Sequence, residues 1–267
     1  ADYYFDKQGR GIVSWLAADR LDLPDPRYPK YVPEIYDVDG APYESLLIGQ
    51  FAVMRNRDPK INEICLGFSR DGFHWHRPSR TAFVGLLEKD GKLYENNQPA
   101  AGGCLVMGDQ LYFYGMRTGA QWEYAGTGLS TLRRDGFASM DATEAGGTLT
   151  TRPVTFKGGH LFVNLDAPAG ELRVEVLDAA GAVLDAFSRD HCRPLRGDRT
   201  RLPVKWDGAG DLLPYAGQPI RFRFHLKSGK LYSFWVSSET SGASHGYVAA
   251  GGPTLTGSTD TVGQPAQ

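Results

Sequence analysis

The side chains of this 267-residue sequence best suited to chemistry are carboxylates at the mouths of short apolar runs. Glycoside hydrolysis needs two carboxyl groups flanking the scissile bond, one protonated and one ionised. Glu95 sits in Leu93-Tyr94-Glu95-Asn96-Asn97-Gln98-Pro99, and Asp37 ends the matching segment of an earlier, similar stretch. These two are the primary acid candidates. Glu44 is the third: it lies beside Tyr43 and the apolar run from Leu46, so partial burial should raise its pKa. Asn97 and Gln98 can hydrogen-bond sugar hydroxyls, and Tyr43, Arg55 and Arg117 complete the expected substrate contacts. His74 and His76 flank Trp75, a spacing that puts two imidazoles on one strand face and can bind a metal. No third ligand is evident nearby, and an exposed histidine pair on an outer strand is the competing reading. No cofactor is required by the residues, and a divalent metal is the one left open.

Other chemistries find less support. Gly242-Ala243-Ser244-His245-Gly246 fits the Gly-x-Ser-x-Gly pattern, but that elbow needs a strand-turn-helix in an α/β sheet. Phosphate-cradling glycine loops are missing. Arg221, Arg223 and His225 read as a solvated strand face. The three cysteines, Cys65, Cys104 and Cys192, are too few for a disulfide framework, and Cys65 and Cys104 sit in apolar runs as small buried hydrophobes.

The elements that must position these groups are strands. Apolar runs are short, rich in β-branched and aromatic residues, and bounded by Gly, Pro, Asp or Asn. Gly108-Asp109 reads as a tight hairpin turn, and Lys227-Ser228-Gly229-Lys230 as another. A repeat is visible. Met54-Arg55 recurs as Met116-Arg117, and Arg70-Asp71-Gly72-Phe73 as Arg134-Asp135-Gly136-Phe137. Each unit then holds two strands, a loop, a third strand ending at Arg-Asp-Gly and a fourth starting with Phe. That is the size of a four-stranded propeller blade. The Arg-Asp-Gly-Phe segments themselves are expected to be structural turns. After about residue 145 the alternation of Leu172, Val174 and Val176, and of Phe222, Phe224 and Leu226, predicts half-buried strands of a β-sandwich. The expected organisation is an all-β chain. It has a partial propeller over residues 1–144, about two blades plus an N-terminal strand. A sandwich follows over 145–237, then a Gly/Ser/Thr-rich, partly mobile tail over 238–267.

Charge and length bound the partners. Twenty-nine basic and 31 acidic side chains give a net charge of -2, so no broad basic field for nucleic acid exists. No apolar run approaches the roughly 20 residues of a membrane span, and the first residues do not look like a signal peptide.

Several segments together carry a family resemblance. They are Trp15-Leu16-Ala17-Ala18-Asp19-Arg20-Leu21-Asp22 with Pro24-Asp25-Pro26, Pro42-Tyr43-Glu44-Ser45, and Cys65 through Trp75. Gln98-Pro99-Ala100-Ala101-Gly102-Gly103 and Thr131 through Met140 complete the set. They resemble the C-terminal half of bacterial proteins related to glycoside hydrolase families 32 and 43, which pair a five-bladed propeller with a C-terminal β-sandwich. The resemblance implies a carbohydrate-active hydrolase, secreted or periplasmic, in a form lacking the early blades that hold the nucleophile or base aspartate. Two further readings stand beside it: a non-catalytic glycan-binding module, and an oligomeric propeller fragment hydrolysing an ester or phosphoester, with or without a metal. Open blade faces carrying Leu46, Ile48, Phe51, Ile64 and Phe68 favour a homo-oligomer.

Overall fold

The computed structural model describes residues 15–262. The chain is all-β. Of the N-terminal strand expected within residues 1–20, residues 1–14 lie outside the described residues, as does the tail beyond 262. Contacts divide the described residues into two compact units, one of residues 15–103 and 113–130, the other of residues 104–112 and 131–262.

The first unit is built on β1 (Glu34–Glu44), β2 (Leu46–Asn56) and β3 (Ile61–Ser69), paired antiparallel in sequence order. A small hairpin, β4 (Leu87–Lys89) with β5 (Lys92–Tyr94), follows. Then β6 (Asn96–Pro99) joins β3 by one parallel pair, Asn62 with Asn96. β7 (Leu105–Met107) and the first residues of β8 (Gln110–Thr118) fall in the second unit and form the expected hairpin: Met107 pairs with Gln110 across Gly108-Asp109. β8 also pairs with β6 and with β9 (Ala125–Arg133). β2 is buried along most of its length, and Phe51, Val53 and Cys65 form a core against which Leu16, Ile35, Val38 and Trp75 pack. The Phe51 and Trp75 rings meet edge to face at 5.4 Å.

Both Arg-Asp-Gly segments follow the third strand of their repeat, since β3 ends at Ser69 and β9 at Arg133. The fourth strands differ from expectation. After Phe73 the chain forms only isolated bridges to β3, His76 with Phe68 and Val84 with Ile64. After Phe137 the chain forms β10 (Met140–Ala142), whose partner is β15 (Gly229–Ser237), so it joins the other sheet.

The second unit is organised by one long strand, β12 (His160–Leu177). Its first half pairs with β15 and its second half with β14 (Arg221–Lys227). β13 (Leu195–Pro203) lies along the other edge, and β11 (Gly147–Thr150) pairs with β14. The hairpin expected at Lys227-Ser228-Gly229-Lys230 is therefore absent. β14 and β15 follow one another along β12, broken only at Ser228, where φ is 46°. Two short 3-10 turns, η1 (Asp185–Phe187) and η2 (Leu213–Tyr215), and the two-residue β16 (Tyr247–Val248) complete the elements.

The break matches a change of phase in β12. Leu161, Val163, Leu165 and Ala167 are buried before it, and Leu172, Val174 and Val176 after it. An irregularity between Ala167 and Leu172 switches the buried parity from odd to even, which keeps both halves facing one core. Phe222, Phe224, Trp206 and Phe187 fill that core. Gly170 sits in this bend, where a Cβ would stand 1.8 Å from the Lys227 carbonyl oxygen. Gly170→Ala is predicted to force the strands apart at a cost of about 1–3 kcal/mol. An unchanged urea midpoint would show that the bend is compliant.

Part of the tail makes hydrogen bonds back to the rest of its unit. Asp260 is buried, takes a 2.9 Å hydrogen bond from the buried Arg134 guanidinium, and brackets His245 and Gly246 through its backbone. Arg134 is thus a structural residue, as expected of its motif. The first copy of the motif is an Asx turn: Asp71 Oδ1 accepts from the Phe73 and His74 amides.

Candidate functional site

The geometry converges on the first unit, around the β1–β2 hairpin. In its ladder Asp37 pairs with Ala52 and Asp39 with Gln50, so both aspartates occupy one face of β1, two positions apart. Asp37 is exposed and Asp39 half-buried. Asp39 Oδ2 accepts from the Gly103 amide at 3.2 Å and from Gln50 Nε2 at 3.4 Å. Burial pushes the Asp39 carboxyl above its ordinary range. The Asp37 charge adds to the rise, while the amides of Gly103 and Gly102 and the Gln50 side chain oppose it. Asp39 escaped the sequence reading. Its signal was Asp37-Val38-Asp39, two carboxylates at strand period on one face.

Gln50 is the hinge of a second feature. Its Nε2 also donates to the Gly103 carbonyl at 3.2 Å, while its Oε1 is buried without a partner. Asn97 is fully buried. Its Nδ2 donates to the Gly85 and Asn62 carbonyls at 3.2 and 3.4 Å, and its Oδ1 is likewise unpartnered. Gln50, Asn97 and Arg117 line one small cavity with Ile64, Val84 and Phe113. Its free volume is about 10 Å³, room for roughly one water or one ligand hydroxyl. Two of these lining residues carry buried orphan carbonyl oxygens that call for a donor. Arg117 reaches this place by lying across Gly128, where a Cβ would stand 2.2 Å from its Nε. Its Nη2 donates to Ser130 Oγ at 2.7 Å, and no carboxylate pairs with it among the described residues. Burial lowers its pKa.

The remaining candidates fall elsewhere. Glu95 is 8% exposed and ion-paired to Arg27 at 2.7 Å, and Arg27 also holds Asp25 at 2.8 Å. That ion pair engages Glu95 as a structural anchor. Asn96 beside it extends a buried amide chain, taking a bond from Asn62 Nδ2 at 3.1 Å and giving one to Thr118 Oγ1 at 2.9 Å. Arg55 is a buried strut. It bonds Glu63 and the Leu23 and Arg80 carbonyls. Tyr43 is buried, Glu44 is half-buried at φ 50°, and Gln98 is half-buried in β6, paired with Met116.

His74 and His76 do not share a strand face. His74 is exposed, with Nδ1 2.8 Å from Asp71 Oδ2, while His76 exchanges backbone bonds with Phe68. Among the described residues no group of three His, Cys, Asp or Glu is placed to hold a metal ion. The three cysteines are free and buried, and burial raises their pKa, to about 12 at Cys104, which removes them as nucleophiles.

Comparison with known protein families, with curated proteins and with solved structures found no match.

Proposed function

We propose that this chain is a carbohydrate-active protein of the glycosidase type, with its site on the first unit at Asp37 and Asp39. The carrying observation is the unequal setting of these two carboxyl groups on one face of β1. Two carboxyl groups in unlike settings on one strand face, one of them shifted upward by burial, suit the acid-and-base division that glycoside cleavage uses. Asp39 would donate its proton to the leaving oxygen, and Asp37 would serve as the ionised partner. The orphan oxygens of Asn97 and Gln50 would take a sugar hydroxyl, and Arg117 would hold an adjoining oxygen.

The finer architecture belongs to the same proposal. β1 to β3 with the His76 bridge make one propeller blade, and β6 to β9 most of a second. The β12-centred sheet with its bend corresponds to the sandwich, and the open strands suit a homo-oligomer. A non-catalytic glycan-binding module is the second reading, favoured by the engagement of Glu95 in an ion pair with Arg27. The test is turnover on a panel of aryl glycosides, with aryl esters as controls. Wild-type turnover lost in Asp39→Asn supports the proposal. Binding without turnover favours the second reading, and ester turnover alone rejects both.

A further inference from the structure

Two exposed aromatic rings of the first unit are presented by separate backbone irregularities. Tyr36 is the extra residue of the β1 bulge, where the ladder passes from Ile35–Val53 to Asp37–Ala52. A bulge re-aims its side chain, and Tyr36 is 49% exposed. Trp122 stands at φ 62°, a left-handed conformation costly for a bulky residue, and is 52% exposed. Neither irregularity buries its ring. Between the rings lies the Lys60 ammonium, 3.7 Å from the Tyr36 centroid and 5.4 Å from that of Trp122. Lys60 has no carboxylate partner among the described residues. The nearby acids are engaged: Asp58 accepts from Gln121 Nε2 at 3.0 Å, and Glu123 from the Gln121 amide at 3.0 Å. The Lys60 amide donates to the Ala120 carbonyl, which ties the two loops together.

We infer that Tyr36, Lys60 and Trp122 form a binding subsite for glycans built of carboxylated sugars, uronic acids. The inference rests on the glycan reading above and names its substrate class. Sugar rings present a C–H face that lies flat on an aromatic ring, and the sugar carboxylate then meets the ammonium held between the two rings. Tyr36 adjoins Asp37, so a chain anchored here runs toward the carboxylate pair. One lysine matches one carboxylate per sugar.

The experiment is calorimetric titration with pentamers of galacturonate, mannuronate and guluronate. The methyl ester of the galacturonate pentamer, cellopentaose and a single-stranded oligonucleotide serve as comparisons. At least one uronate pentamer is expected to bind, more weakly as salt rises, and tenfold or more tighter than the neutral sugars. Lys60→Met is expected to weaken it by about tenfold. Trp122→Gly is expected to abolish the stacking while keeping or raising the melting temperature, because glycine accepts the left-handed backbone. Equal binding of acid and ester, preference for the oligonucleotide, or no uronate binding overturns the inference. Glycoside cleavage is followed on the same preparations. Cleavage without uronate preference rejects this subsite alone, and uronate binding without cleavage rejects the hydrolase reading alone.

Discussion

Asp22→Ala is expected to destabilise the first unit by about 3–5 kcal/mol. Asp22 is 3% exposed and bonds two guanidinium groups. Arg77 grips it through both Nη atoms, and Arg80 Nη1 reaches Oδ2 at 3.0 Å. The Asp19 amide donates to the same oxygen at 3.0 Å, and Arg80 also holds Asp19 at 2.8 Å. Arg77 is itself buried, its guanidinium stacked 5.1 Å from the Phe51 ring in the core. Removing the carboxylate leaves that cation desolvated and uncompensated. Asp22→Asn keeps the shape and one acceptor, so it should cost less than the alanine variant yet share its sign. Burial raises the Asp22 pKa, but the Arg77 bond, the Asp19 amide and Arg80 outweigh it and hold the carboxyl below its ordinary range. A lowered folded pKa gives stability that is present above the unfolded carboxylate value, about 3.9, and is lost as pH falls through the folded one. The wild type should therefore lose stability on acidification, and Asp22→Asn should lose less over the same interval. Urea melts at a series of pH values give both quantities. A loss under about 1 kcal/mol for the alanine variant would mean that Arg77 finds another partner.

Local signals revealed the strands and hid their partners. The Gly108-Asp109 turn was legible because both strands of its hairpin adjoin it. Ser228-Gly229 carried an equal turn signal, yet the strand runs on, since both flanking runs already have a partner in β12. The alternation in β12 gave its two faces but not the parity switch at the bend, which depends on the Lys227 backbone opposite. The candidate site followed the same logic. The repeat led to Asn97 and Arg117, which the fold brings to one cavity. It also led to Glu95, whose role is decided by Arg27, far away in sequence. Asp39 drew no notice in the sequence, because its contact with Gly103, 64 residues on, exists only in the fold. Residue type and period were visible in the sequence, while burial and charge environment were properties of the folded contacts.

Asp39→Asn is expected to lower glycoside turnover by at least about a hundredfold, near 2.7 kcal/mol of barrier, with the fold intact. The amide preserves the contact with the Gly103 backbone while removing the transferable proton. A general acid works only while protonated, so wild-type turnover should fall as pH rises through the Asp39 pKa, at higher pH than an ordinary carboxylate allows. Two substitutions move that pKa in opposite senses. Asp37→Asn removes the neighbouring negative charge, which lowers it. Gln50→Leu removes a donor to the ionised carboxylate, which raises it. Carbon-detected NMR titration of the Asp39 carboxyl reads both shifts without any turnover. Stability carries the same signature with its own sign. A raised folded pKa means the folded state binds more protons than the unfolded one, so stability declines as pH rises from the ordinary carboxylate value through the folded pKa. Asp39→Asn should abolish that decline. If the Asp39 carboxyl titrates normally and ignores Asp37→Asn, the acid is not Asp39 and the site loses its proton donor. If it titrates high and turnover survives Asp39→Asn, the strand face is a binding surface and the glycan-binding reading takes precedence.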